Sequence, residues 1–361
     1  MILLSILILY IFIHVLFILN LSKTFHKQHH HLNRDEVVTG ISVIIAAKNE
    51  EVKFPVLISS LAKLNYPKEN FEVIIVDDNS TDETFFIAEE LILTFDNFRI
   101  VRAVNKRFEG KRGALDYGIS LARYGKIVVT DADCIPEANW LRRFNENFTE
   151  EYDFIIGVAP FTREQLLINK ISCYENFRTT LITIWGVYLG IPFTASARNF
   201  GFKRKSFEKL EGYKNTTDTI SGDDDLLLRE AVKNKMKVGT LTSKDSFVYS
   251  ETKKTFKEYF NQRARHTQTS FHYPLKQTSF LLVWHCLNIA FLFSPLLAFI
   301  NLYFLLPFAV KLIFDLLISI QYQDDISYNF SIVETVYLQF FYEIFLIVHL
   351  FNAKLSRIKW K

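Results

Sequence analysis

Few cysteines and almost no net charge mark this chain of 361 residues. Cys134, Cys173 and Cys286 are scattered, without paired or metal-type spacing. That excludes a disulfide framework and fits a reducing compartment. The formal net charge of +3 gives no bulk electrostatic reason to bind nucleic acid. Internal repeats are absent. The first segment lacks both a basic start and a small-residue cleavage site, which speaks against a cleavable signal peptide. What the chain has in quantity is phenylalanine, 35 residues, with apolar runs concentrated at both ends.

Ile2 to Leu19 is almost wholly apolar and of bilayer-crossing length, an uncleaved anchor by this reading. Lys23, Lys27 and Arg34 follow it and place the downstream chain in the cytoplasm. His26, His29, His30 and His31 read as headgroup-level or tether residues rather than a metal site. Phe280 to Ile300, Leu302 to Ile320 and Val333 to Leu350 are three further candidate spans. Lys311 and Asp315 in the second stand one helical turn apart, where they can neutralise each other. Basic residues between Lys253 and Lys276 again put the centre inside. Three crossings would leave the tail outside, yet Lys354, Arg357, Lys359 and Lys361 make it basic. One of the three segments is therefore expected to be re-entrant or interfacial.

Between the ends, strands alternate with helices on short connections, the pattern of a mostly parallel, doubly wound α/β sheet. Gly40 to Ala47, Phe71 to Val76, Phe98 to Ala103, Lys126 to Thr130 and Phe154 to Val158 read as strands. Helices are expected up to about Leu64, after Ser80 or Thr81 as cap, from Gly110 to about Arg123, and from about Pro136 to Phe148. Ser196 to Arg204 reads as a strand passing close to a site. Polar residues cluster after the first, second and fourth strands, where an open parallel sheet binds ligands. The stretch Lys126 to Cys134 is central: a β-branched strand ending in Asp131 and Asp133. Two acids there can hold a hard divalent cation, itself suited to a diphosphate. Downstream, Asp223, Asp224 and Asp225 open a helix, favourable for its dipole alone. After Tyr249, aromatic and basic residues through Tyr273 suit the inner face of a membrane. By these signals the chain divides into an anchor (1–21), a linker (22–39), a catalytic domain (40–251), an interface segment (252–278) and C-terminal spans (279–361).

With these motifs in order, the chain resembles the family 2 glycosyltransferases of GT-A fold, in their membrane-anchored bacterial form. The carriers are Ser42 to Glu50, Val76 to Asp82, Gly110-Lys111, Asp131-Ala-Asp133, Gly222 to Leu226 with Arg229, and Gln262-x-x-Arg265. The resemblance implies inverting transfer of a sugar from a nucleotide-diphosphate donor, UDP being the family's commonest carrier. The acceptor is a lipid-linked or glycan hydroxyl at the inner membrane face. Carried over by position, Ala46, Glu50 and Asp78, with Asp77 as alternative, bind base and ribose. Lys111 borders the nucleotide, Asp131 faces the ribose, and Asp133 ligates Mg²⁺ or Mn²⁺ with Asp131 beside it. Asp223 takes the place of the catalytic base, with Asp224 the off-by-one alternative because Gly222 replaces the family's Glu. Gln262 and Arg265 cover acceptor and diphosphate. His266 stands where processive members have Trp, which argues against long-polymer synthesis. A processive synthase and a non-catalytic membrane protein retaining the fold are the alternatives. A nucleotidyltransferase also uses paired acids on such a sheet, but gives no reason for Gln262-x-x-Arg265.

Overall fold

A computed structural model describes residues 1–29, 37–148, 152–219 and 221–355. His30, His31, Arg34, Arg357, Lys359 and Lys361, singled out above, lie outside the described residues. The chain divides into two compact units. One is the sheet unit, residues 31–162 and 192–251. The other is helical, built from residues 1–30, 163–191 and 252–357.

In the sheet unit, β1 (Ile41–Ala47), β2 (Phe71–Asp77), β3 (Phe98–Arg102) and β4 (Lys126–Asp131) form a parallel set in the order β3-β2-β1-β4. Both faces of β1 are buried, so it reads as a continuous apolar run rather than an alternation. Val43 and Ile45 join the core under α2 (Phe54–Ala62) and α3 (Thr84–Ile92). Ile44 points the other way, towards α4 (Gly110–Leu121), which approaches closely because Gly118 has no side chain. A Cβ there would sit 2.7 Å from Ile44 Cγ2 and 2.9 Å from Val76 Cγ2.

The remaining elements follow β4. A short β5 (Ile135–Pro136) pairs with β9 (Val248–Tyr249) in a separate ribbon. After α5 (Trp140–Asn147) comes β6 (Phe154–Gly157). Then β7 (Phe200–Lys203) runs antiparallel between β4 and β6, and β8 (Val238–Leu241) closes the edge parallel to β6. The strand expected over Ser196 to Arg204 is a 3₁₀ turn at Ala197–Asn199 followed by β7. Neither Ser80 nor Thr81 caps α3. The N-cap is Glu83, without a side-chain cap bond, and Asp82 just before it accepts from Thr84 N–H (3.1 Å) and Oγ1 (2.6 Å), while Thr81 N–H turns to Asn49 Oδ1 (2.8 Å). The elements α7 (Arg204–Lys209) and α8 (Asp223–Lys233) complete the unit.

The helical unit holds α1 (Ile2–His29), α6 (Leu167–Tyr188), α9 (Phe256–Ser270), α10 (Leu275–Phe293), α11 (Leu305–Tyr322) and α12 (Ile332–Leu355). Four segments are long and apolar enough to cross a membrane: Ile2–His26, Leu275–Leu297, Leu302–Tyr322 and Ile332–Leu355. Two placements differ from expectation. The anchor helix continues through most of residues 22–29, and α6, within the 40–251 range, belongs to the helical unit. The periodicity of α6 is weak because it is buried nearly all round, and such a helix carries no amphipathic stripe.

Lys311 and Asp315 do pair, at 2.6 Å. Asp315 also takes Arg178 from α6 at 2.5 Å, and Lys311 reaches Glu343 of α12 at 3.3 Å. All four groups are buried. Removing one member of such a set strands its partners, which costs several kcal/mol. Asp315→Leu is expected to lower unfolding stability in detergent by about 3–5 kcal/mol, with Asp315→Asn between it and the wild type. Unfolding midpoints equal to wild type would show that the set is not coupled.

Candidate active site

The site forms where parallel strands end. Register places Ala46 beside Val76 and Asp131, and Ala47 beside Asp77, so these residues share one rim. The chain turns sharply after β1 and β2, with Asn49 and Asn79 at positive φ (56° and 55°), a conformation Asn tolerates. The two loops brace each other. Glu50 N–H donates to Thr84 Oγ1 (2.8 Å), Asp78 N–H to Ala47 O (2.8 Å), and Glu83 N–H to Glu51 Oε2 (3.0 Å). Asp77 and Asp78 are both buried. Asp77 accepts Ser80 N–H (3.3 Å), and Asp78 pairs with Lys106.

At the end of β4, Asp131 and Asp133 lie with Cys134 in one group whose ligand atoms fall within 4.8 Å of one another. The carboxylates are partly exposed and the thiol is buried. Burial, with the charges of Asp131 and Asp133, pushes the Cys134 thiol up, so the sulfur stays protonated and the donors on offer are oxygens. That donor chemistry fits a hard cation such as Mg²⁺ or Mn²⁺. Lys111, the second residue of α4, donates to Asp131 Oδ1 at 2.5 Å. Burial works against its charge, but Asp131, Asp223 and Asp224 outweigh burial and hold its pKa above the ordinary lysine value.

The same ammonium therefore feels acids from the end of β4 and from the start of α8. The segment between β6 and β7 joins the two. Arg198 O accepts from Thr130 Oγ1 of β4 (2.8 Å), and next to it Ala197 N–H donates to Asp224 Oδ2 (2.7 Å). Asp225 Oδ1 takes Thr194 Oγ1 (2.7 Å) and Ala195 N–H (2.9 Å). Two acids of the triplet are thus bound to main chain, while Asp223 accepts no hydrogen bond among the described residues, though it is buried. Gly222 turns the chain into α8 at φ 78°, the left-handed region where a Glu would be strained. Burial, then the charges of Asp225 and Asp223, raise the Asp224 carboxyl well above the usual range.

Of the residues singled out from sequence, the sheet unit holds Ala46, Glu50, Asp77, Asp78, Lys111, Asp131, Asp133, Asp223 and Asp224. Gln262 and Arg265 stand on α9 of the helical unit, where burial lowers the Arg265 pKa. Sequence reasoning missed Lys106 as the partner of Asp78. It also gave no sign that Arg112 is buried: that side chain is 5% exposed and donates to Thr219 O (2.9 Å). Residue type alone could not reveal either, because lysine and arginine are most often solvent-exposed.

This architecture is the GT-A class of glycosyltransferase fold. Residues 42–211 match the model of Glycosyl transferase family 2, so the chain is similar to that family over this stretch. A probable glycosyltransferase of Bacillus subtilis, YdaM, is 26% identical over 294 residues, 75% of this chain and 64% of that protein. The β-monoglucosyldiacylglycerol synthase of a Nostoc species is 41% identical over 93 residues, 26% of this chain and 20% of that protein. The match thus spans only a fifth of the Nostoc protein's length. In fold, the chain is similar to a mannosyltransferase of Pyrobaculum calidifontis solved with GDP-Man and Mn²⁺. The TM-score is 0.59 at 17% identity, covering 98% of this chain and 99% of that one.

A raised carboxyl pKa means that the folded protein holds the Asp224 proton more tightly than the unfolded chain does. Stability from this group is full below the ordinary carboxylate value and is lost as pH rises towards the raised one. Asp224→Asn should therefore gain on the wild type between pH 4 and pH 7, in unfolding midpoints measured at both. A difference that is constant, or that moves towards the wild type, would contradict the assignment.

Proposed function

We propose that the protein transfers a sugar, with inversion, from a nucleotide-diphosphate donor to a hydroxyl of a lipid-linked or glycan acceptor at the inner membrane face. One observation carries the reading: among the described residues, Asp223 alone of its triplet accepts no hydrogen bond, and it shares the field of Lys111 with Asp131.

An acceptor hydroxyl is a poor nucleophile near pH 7, so a carboxylate within hydrogen-bond reach must take its proton. Asp223 fills that role. Asp224 is the weaker candidate, because its oxygens already accept Ala197 and Asp225 N–H. A single base on the attacking side, with no carboxylate nucleophile, gives single displacement and inversion. Ala46, Asp77 and Asp78 line the rim where base and ribose would sit, with Glu50 in the adjoining loop. Asp131 and Asp133 would hold a divalent cation, which when bound supplies Lewis-acid stabilisation of the departing diphosphate. In this reading Lys111 would share that charge, and Arg265 would offer a bidentate clamp.

The apolar helices support membrane anchoring, which lets the catalytic unit meet an acceptor that cannot leave the bilayer. The basic residues after the apolar run Ile2 to Leu19 and around α9 favour a cytoplasmic face. Four candidate spans and His266 in place of Trp favour single transfers over export of a polymer.

Nucleotide sugars should be screened for thermal stabilisation with and without Mn²⁺, then assayed for released nucleoside diphosphate. Metal-dependent stabilisation and release are expected. Inorganic diphosphate instead would identify a nucleotidyltransferase, and no turnover with any donor would favour a non-catalytic role. Asp223→Asn should cut turnover by about 10²–10⁴-fold with donor affinity unchanged by calorimetry, and an active variant would place the base elsewhere. Asp133→Ala should abolish the Mn²⁺-dependent part of donor binding. Retained binding would remove Asp133 from the metal site.

A further inference from the structure

Between α7 and α8 the chain runs through a strap, Tyr213 to Thr219, before it reaches Asp223. Two arginines grip this strap from different elements. Arg112 of α4 donates from Nη2 to Thr219 O (2.9 Å). Arg229 of α8 donates from Nη2 to Asn215 O (2.7 Å) and to Asp218 Oδ2 (2.7 Å). They are 5% and 7% exposed. The strap is also tied to itself, since Thr216 donates from N–H (3.1 Å) and Oγ1 (2.8 Å) to Tyr213 O.

A guanidinium is a costly way to hold a carbonyl. Taking it out of water is unfavourable unless its five donors are met or opposite charge lies close. The Nε of Arg112 is buried without any hydrogen-bond partner. Its hydrogen bond on Thr219 goes to a neutral main-chain oxygen, so its charge is balanced only through the surrounding field. The groups that supply that field are Asp223 first, then Tyr213, Asp218 and Asp224. An uncharged side chain of similar length would fill the same space without the desolvation cost. The charge makes sense through the largest opposite charge acting on it, that of the Asp223 carboxylate, which takes no hydrogen bond among the described residues.

We infer that Arg112 and Arg229 are positioning residues: together they clamp the strap, and through it they aim and electrostatically hold the carboxylate of Asp223. The inference rests on the transfer reading above for the role of Asp223, but the clamp itself is testable without turnover. In the full-length protein in detergent, Arg112→Gln and Arg229→Gln should speed amide hydrogen exchange in residues 213–219 at least about tenfold, leaving β1 and β4 unchanged. Arg112→Lys keeps the charge in a different shape and should fall between, and it stands in if Arg112→Gln does not fold. Lys214→Ala, at an exposed strap position, should match the wild type.

In the transfer assay, both Gln variants should lose turnover about a hundredfold with donor KM changed less than threefold. Added guanidinium should restore part of the turnover of Arg112→Ala, which a purely structural role would not produce. Unchanged exchange in the strap would overturn the clamp. Faster exchange with undiminished turnover would overturn its aim at Asp223. Should the wild type turn over no donor at all, the transfer reading falls, and the exchange data still decide the clamp.

Discussion

The site depends on one ammonium placed between two sets of acids. Asp131 comes from the end of a central strand, and Asp223 and Asp224 from the start of a distant helix. Brought together without a cation, such carboxylates would repel one another or take up protons. Lys111 answers this at the opening of α4, bonding Asp131 directly and lying within the field of the other two. Its own position follows from packing, because α4 lies close on the sheet where Gly118 leaves room for Ile44 and Val76.

What each acid can do is set by its partners more than by its type. Asp78 is held by Lys106, Asp225 by Thr194 and Ala195, and Asp224 by Ala197. These carboxylates organise loops. Asp131 and Asp133 remain partly exposed beside a buried thiol, an oxygen pair open to a cation. Asp223 is buried yet accepts no hydrogen bond among the described residues. One triplet of identical residues thus contains two members bound to main chain and, among the described residues, one that is not.

The helical unit applies the same physics without an evident chemical purpose. Arg178, Lys311, Asp315 and Glu343 form a buried set of balanced charge contributed by three helices. Nearby, Glu175 of α6 accepts from Tyr259 of α9 (2.6 Å) and lies 2.9 Å from Arg263 Nε. These contacts tie α6 to α11, one of the long apolar spans, and α9 to α6. Ion pairs suit this task because their geometry is restrictive. Purely apolar helices can slide past one another, whereas a buried charge has few places to go.

The parallel sheet and its rim were legible in the sequence, because a strand buried on both faces must be continuously apolar and its polar exit stands out against it. Val43 to Ala47 followed by Lys48 to Glu51, and Ile127 to Thr130 followed by Asp131, needed no further information. The apolar end segments were equally plain, since spanning length is a local property. The affiliation of α6 was not legible. A helix enclosed on all sides shows no stripe to say which unit encloses it. Nor was the division of labour in Asp223-Asp224-Asp225 legible, or the burial of Arg112. Hydrophobic pattern acts along the chain and is written in it. The charge state and freedom of a side chain depend on groups more than a hundred residues away, and only tertiary folding brings those groups within reach.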